Sequence, residues 1–238
     1  MWNNNRNLQP MWRGQPVQSG QTMAMTDKSS LIQKVMWFTS FSILAAAAGV
    51  WIGSQGLHSA YNFGRGTSLL WMLLAIGLSI GALFLKDRPG INFVLLYGFT
   101  FVTGVAIAPL MQMLVIGGYS GIILQALLIT GALTFGLSFY AWTTKRDFSG
   151  FAPYLFVGLI GLLLVSLLNI FLASSFLASV IMYGGVLLFS FYMIYDVQQA
   201  KYYQNTVGNA IAISIGIYTN ILNIFLFIIQ ILMSFQND

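Results

Sequence analysis

The chain reads as an all-α integral membrane protein of seven transmembrane helices. Three observations predict this. Hydrophobic residues make up 58% of the 238 and charged residues only 6%, where soluble domains run to roughly a quarter charged. Apolar runs of helix length recur along the chain. Lys and Arg fall in the breaks between those runs. A membrane-crossing helix takes about 20 apolar residues, and lipid is the solvent that makes such a composition stable. Seven helices with short loops use nearly all of residues 31–238, so a single membrane domain is predicted, with no room for a soluble one.

Residues 1–30 are rich in Asn, Gln and Ser, contain Pro10 and Pro16, and show no apolar period. They read as a disordered polar tail. Neither a secretory signal peptide nor an Arg-rich amphipathic presequence is expected there. The apolar spans then run over 35–53, 68–86, 92–116, 120–142, 152–173, 176–196 and 209–235. Gly117, Gly118 and Tyr119 alone separate the third from the fourth, and residues 173–175 the fifth from the sixth. Loops that short force antiparallel neighbours. The break at Ser174 and Ser175 decides the count, because without it two runs fuse and six spans remain. Pro109 lies inside the third span, removes one backbone hydrogen bond and is expected to kink it.

Orientation follows from Lys and Arg in short loops. With seven spans, Arg6, Arg13, Lys28, Lys34, Lys86, Arg88, Lys145, Arg146 and Lys201 share one side and Arg65 stands alone on the other. The N-terminus is therefore expected in the cytoplasm and the C-terminus outside. These cations are scattered over loops and form no basic face, so nucleic acid is not an expected partner; the bilayer is.

The inventory excludes several chemistries. There is no Cys and no Glu, and His58 is the single histidine. A zinc protease helix needs His-Glu-x-x-His, and His58 reads as a surface residue. An aspartyl intramembrane protease needs two membrane carboxylates, and a retinal protein needs a Lys in the last span. No catalytic residue, metal site or cofactor is expected.

Among five aspartates, Asp27, Asp87, Asp147 and Asp238 fall in the tail, loops or C-terminus. Asp196 directly follows the apolar run 186–195. Two readings of it stand. An intramembrane carboxylate is expensive and is a functional candidate by default; alternatively Asp196, with Gln198, Gln199 and Lys201, marks where the helix leaves the bilayer. Tyr192, Phe189 and Gly185 share its face, and Gly184 and Gly185 permit a close neighbour. In the last span, Asn220, Asn223 and Gln230 need partners in lipid, so this helix should be central. Those amides serve either a site or helix–helix adhesion.

Three segments carry a resemblance. Met182-Tyr-Gly-Gly-Val-Leu-Leu-Phe-Ser-Phe-Tyr-Met-Ile-Tyr-Asp196-Val-Gln198 resembles the end of the sixth helix in the Bax inhibitor-1 family, which closes on Tyr-Asp-x-Gln. Gly98-Phe-Thr-Phe-Val-Thr-Gly104-Val-Ala-Ile-Ala-Pro109 is similar to its third helix. Tyr218-Thr-Asn220-Ile-Leu-Asn223-Ile-Phe is similar to its Tyr-x-Asp-x-x-Asn-x-Phe in the seventh. The resemblance covers the chain from about residue 30 and implies seven helices packed around the last, with a pH-sensitive calcium leak in a bacterial inner membrane.

In bacterial members an aspartate pair on helices six and seven, with a basic residue ending helix two, is thought to latch the pore. Asp196 matches the first aspartate and becomes the expected gate and pH sensor. Lys86 falls at the basic position, and Asn220 replaces the second aspartate. Asn223, Tyr192 and Pro109 are further pore or packing candidates. Since Asn220 cannot ionise, Asp196 alone titrates. With Asn220 and Lys86 as partners, any pH gate is expected to be simpler than in two-aspartate members and to work at lower pH. A tight calcium site takes about six to eight oxygens, so Ca²⁺ is expected only as a weakly held permeant ion. The resemblance also carries an alternative: a non-conducting regulator that binds another membrane protein, such as a membrane-bound protease.

Overall fold

The structure, a computed structural model, describes residues 18–57 and 66–236. These form seven α-helices and one short 3₁₀ turn: α1 (Gln18–Leu57), α2 (Gly66–Phe84), α3 (Ile91–Ile116), α4 (Ser120–Thr143), α5 (Ala152–Leu172), α6 (Ser175–Tyr202) and α7 (Val207–Ser234). Each expected span has its helix. Six are long and apolar enough to cross a membrane; in α2 the apolar part among the described residues is the shorter Leu70–Phe84. The chain is thus an integral membrane protein, all-helical among the described residues, with six such spans among their seven helices.

Local chemistry places the breaks. Ala173 adopts the left-handed conformation (φ 48°), Asn169 Oδ1 accepts the Ser174 backbone N–H at 2.9 Å, and Ser174 Oγ caps α6 by accepting from Leu177 N at 3.4 Å. The break at Ser174 and Ser175 therefore holds, because the freed groups at both helix ends find side-chain partners. Between α2 and α3, Gly90 (φ 83°) turns the chain and Asn92 Nδ2 donates to Lys86 O at 2.8 Å.

α1 differs from expectation at its start. It begins at Gln18, inside the stretch read as a polar tail. Past Pro16 no further proline interrupts the sequence until Arg88 has passed, and a helix already nucleated extends at little cost. Residues 1–17 lie outside the described ones, as do His58 and Arg65. α6 also runs past its expected end at 196, to Tyr202.

α7 is the axis of the molecule. It touches α1, α2, α3, α4 and α6, and all three clusters of buried apolar residues include α7 side chains, such as Ile211 and Ile215, Ile224 and Ile228, or Ile213 and Ile217. Of its most apolar window 56% is buried, against 6% for α5, which among the described residues packs on α6 and the short turn before it. The centrality expected of the last helix is observed.

The closest helix approach joins α1 and α3. A Cβ at Gly49 would strike the Phe101 carbonyl, one at Gly104 would strike the Ala46 carbonyl, and one at Gly53 would lie 2.7 Å from Ala108 Cβ. Gly49 and Gly53 form a Gly-x-x-x-Gly pair, which lets backbones meet in lipid. Pro109 sits within α3, which continues through it to Ile116.

Candidate functional site

α6 and α7 bring Asp196 and Asn220 together. Asn220 is 3% exposed, and its Nδ2 donates to Asp196 Oδ2 at 2.7 Å. Gln199 Nε2, one turn along α6, donates to Asp196 Oδ1 at 3.2 Å. The carboxylate lies against the backbone of Gly216, where a Cβ would stand 2.5 Å from Oδ2. Gly216 and Asn220 are four residues apart and so share one face of α7. One clears the space and the other supplies the donor.

This geometry shows how Asp196 is packed. Nearly two further turns of α6 follow it, with Gln198 and Ala200 buried at 2% and 3% exposure. The carboxylate is turned onto the central helix, so Asp196 does not mark the end of a helix.

Lys86 is not its partner. Lys86 Nζ lies 3.4 Å from Asn209 Oδ1 at the start of α7, and no ion pair joins it to Asp196 among the described residues. The expected Lys86–Asp196 pair is corrected by position: Asn209 precedes Gly216 by seven residues, about 10 Å along the helix axis. Lys86 follows the end of α2 and reaches the first turn of α7. The expectation of a low-pH gate leaned on that cation and loses its support; what stays is a single titrating acid held by two neutral amides.

The basic residues instead clasp loops. Lys34 Nζ donates to Asn205 Oδ1 at 2.9 Å. Lys201 Nζ donates to Ala141 O at 2.6 Å and lies 5.4 Å from the centre of the Trp142 ring. Gln198 Nε2 donates to Arg146 O at 2.9 Å and its Oε1 accepts from Phe148 N at 2.9 Å. Gln198 thus sews the α4–α5 loop to α6. Asp147, in that loop, has its carboxyl held below the usual carboxylate range by the Ser149 backbone N–H and then by the Ser149 hydroxyl.

The other candidates separate. Tyr192 packs edge-tilted against Phe189, ring centres 5.9 Å apart, one turn before Asp196. Asn223 Nδ2 donates to Thr219 O of its own helix at 2.8 Å, and Gln230 Nε2 to Leu226 O at 3.1 Å; neither joins two helices. Gly185 receives the Phe227 ring, whereas a Cβ at Gly184 would meet nothing, so a side chain and not a backbone fills that notch.

The sequence reading did not tie Gln199 or Gly216 to Asp196, nor Thr103 to Tyr218, whose hydroxyls are joined at 2.5 Å with Tyr218 2% exposed. Gly216 could have been found as the residue one turn before Asn220. Thr103 carries no local signal. Among the described residues no three His, Cys, Asp or Glu side chains cluster as metal ligands.

Comparison with known proteins places the chain in a family. The profile of the family described as inhibitor of apoptosis-promoting Bax1 matches residues 28–237. An uncharacterized protein of Campylobacter jejuni is 33% identical over 215 residues, 89% of this chain and 91% of that one. The inner membrane protein YbhL of Escherichia coli is 28% identical over 208 residues, 82% of this chain and 87% of YbhL. Protein lifeguard 4 of Mus musculus is 27% identical over 207 residues, 86% and 85% of the two chains.

Proposed function

The chain belongs to the Bax inhibitor-1 family of membrane proteins, and from that premise we propose that it is a pH-sensitive cation leak, with Ca²⁺ as permeant ion and Asp196 as gate. The observation that carries this reading is a single carboxylate lodged between a membrane-crossing helix and the central helix, held by two amides and, among the described residues, by no cation. It is a charge kept where charge is costly.

The proposed gate is a change in bond strength. A hydrogen bond to an ionised carboxylate is roughly twice as strong as a neutral one. Ionised Asp196 holds α6 on α7 through Asn220; protonated Asp196 keeps only a neutral bond, and the two helices separate more easily. The leak then rises on acidification, through one proton. Catalysis has no part in this reading. The setting proposed is a bacterial inner membrane, with α2 as a seventh crossing, the N-terminus inside and the C-terminus outside. The 19 residues of α2 extend about 28 Å, close to the roughly 30 Å of a hydrocarbon core, which supports that crossing.

The test is Ca²⁺ flux from liposomes holding the purified protein, measured against pH. Wild type should leak more as pH falls, with a one-proton slope. Asp196→Asn, which removes the charge and keeps the shape, should leak at the acid rate at every pH. Absence of flux at any pH overturns the leak reading and leaves the non-conducting regulator in its place.

A further inference from the structure

A cavity of about 500 Å³ opens between α1 and α4. These two helices do not touch among the described residues, and α6 and α7 form the floor, through Met193, Val197, Ile217 and Ile221. The walls are mainly apolar, with Thr39, Ser40, Thr134 and Ser138 among the lining residues. Thr134 and Ser138 bond carbonyls of their own helix, at 2.8 and 2.7 Å. Thr39 is 8% exposed, and its Oγ1 is enclosed by protein without a hydrogen-bond partner, as are Ser42 Oγ and Thr130 Oγ1.

One end of the cavity is cationic. Trp142 and Ala200 line it there, and Lys201 lies over the Trp142 ring. Lys145 and Arg146 follow Trp142 by three and four residues and are exposed. Asp147, in the same loop, accepts from the Ser149 N–H at 2.8 Å and the Ser149 hydroxyl at 3.0 Å, and leaves the three cations in excess over it. Basic pockets between membrane helices suit anionic lipid head groups.

We propose that this cavity is a binding site for one anionic phospholipid. An acyl chain lies between α1 and α4, and the phosphate meets Lys201, Lys145 and Arg146. Apolar walls and a cationic rim occur together, in the order in which a phospholipid presents chain and phosphate.

Trp142 makes the occupant visible. Six tryptophans are present, so variants keeping only Trp142 or only Trp37 are made by Phe replacement. Trp37 is 64% exposed and lines no part of the cavity, so it reports ordinary surrounding lipid. The probe is brominated phosphatidylglycerol as a minor component of phosphatidylcholine vesicles. Trp142 should be quenched well beyond the mole fraction of the probe, and Trp37 only in proportion to it. Lys201→Gln should lower the preference for the anionic lipid roughly fivefold. Gly131→Leu fills the cavity from a position where a Cβ meets nothing, and should abolish the excess quenching. The protein with all its tryptophans gives a second measurement: native mass spectrometry should show one retained phosphatidylglycerol, lost in Gly131→Leu. Quenching of Trp142 in proportion to mole fraction, or equal quenching by brominated phosphatidylcholine, overturns the proposal. So does retention of the lipid by Gly131→Leu.

Discussion

At the scale of the residue, the identity of position 220 sets the character of the site. An amide is a donor to an ionised carboxylate and, with its oxygen turned inward, an acceptor from a protonated one. The Asp196–Asn220 contact therefore exists in both protonation states and differs only in strength. Asn220→Asp replaces this with two carboxylates within hydrogen-bond distance, which must share a proton. That variant should lose about 1–3 kcal/mol of stability at neutral pH, where the amide donor is missing, and its leak should titrate in two steps instead of one. Thermal unfolding in detergent reads the first effect and liposome flux against pH the second; identical flux profiles for variant and wild type would sink the single-acid gate. Asp196 was legible in the sequence because a carboxylate beside an apolar run is rare. Its donors were legible unevenly. Asn220 stood out as an amide in lipid, whereas Gln199 looked like part of a helix exit, and Gly216 recurs with Asn223 and Gln230 at seven-residue spacing although those two amides turn back to their own helix.

At the scale of the element, glycines set how near the helices come. Gly49 and Gly104 meet carbonyls of the facing helix, Phe101 and Ala46, which cannot rotate away as a side chain would. Gly104→Leu should therefore cost about 1–3 kcal/mol or more through overpacking, seen as a lower unfolding temperature in detergent. Gly184→Leu should cost little, since its Cβ would meet nothing. Equal losses in the two variants would contradict the close α1–α3 approach. The sequence reading did not single out the Gly49 and Gly53 spacing, and nothing in α1 says that Gly104 of α3 lies opposite. α6 shows the converse limit. Its hydropathy falls at Asp196, so the apolar run suggested an end there, yet Gln198 and Lys201 find acceptors on Arg146 and Ala141 and the helix continues.

At the scale of the molecule, helix number and order follow from hydropathy and loop chemistry, and the sidedness of Lys and Arg supports an orientation. With no native cysteine, a single introduced one reports its side of the membrane. In intact cells a membrane-impermeant maleimide should label Ser175→Cys but not Asn5→Cys or Gln204→Cys, which should react only after permeabilisation. Protection of Ser175→Cys would show that α2 does not cross, and labelling of Asn5→Cys would reverse the orientation.

The solvent, the helices and the two residues of the site could be read along the chain, because period, composition and a charge in an apolar run are local properties. Which cation stands beside which acid could not. Lys86 was expected near Asp196 and instead reaches Asn209, since its place is set by where α2 ends against the first turn of α7. Only the packing of α6 on α7 decided that Asp196 would face an amide and a glycine and no positive charge.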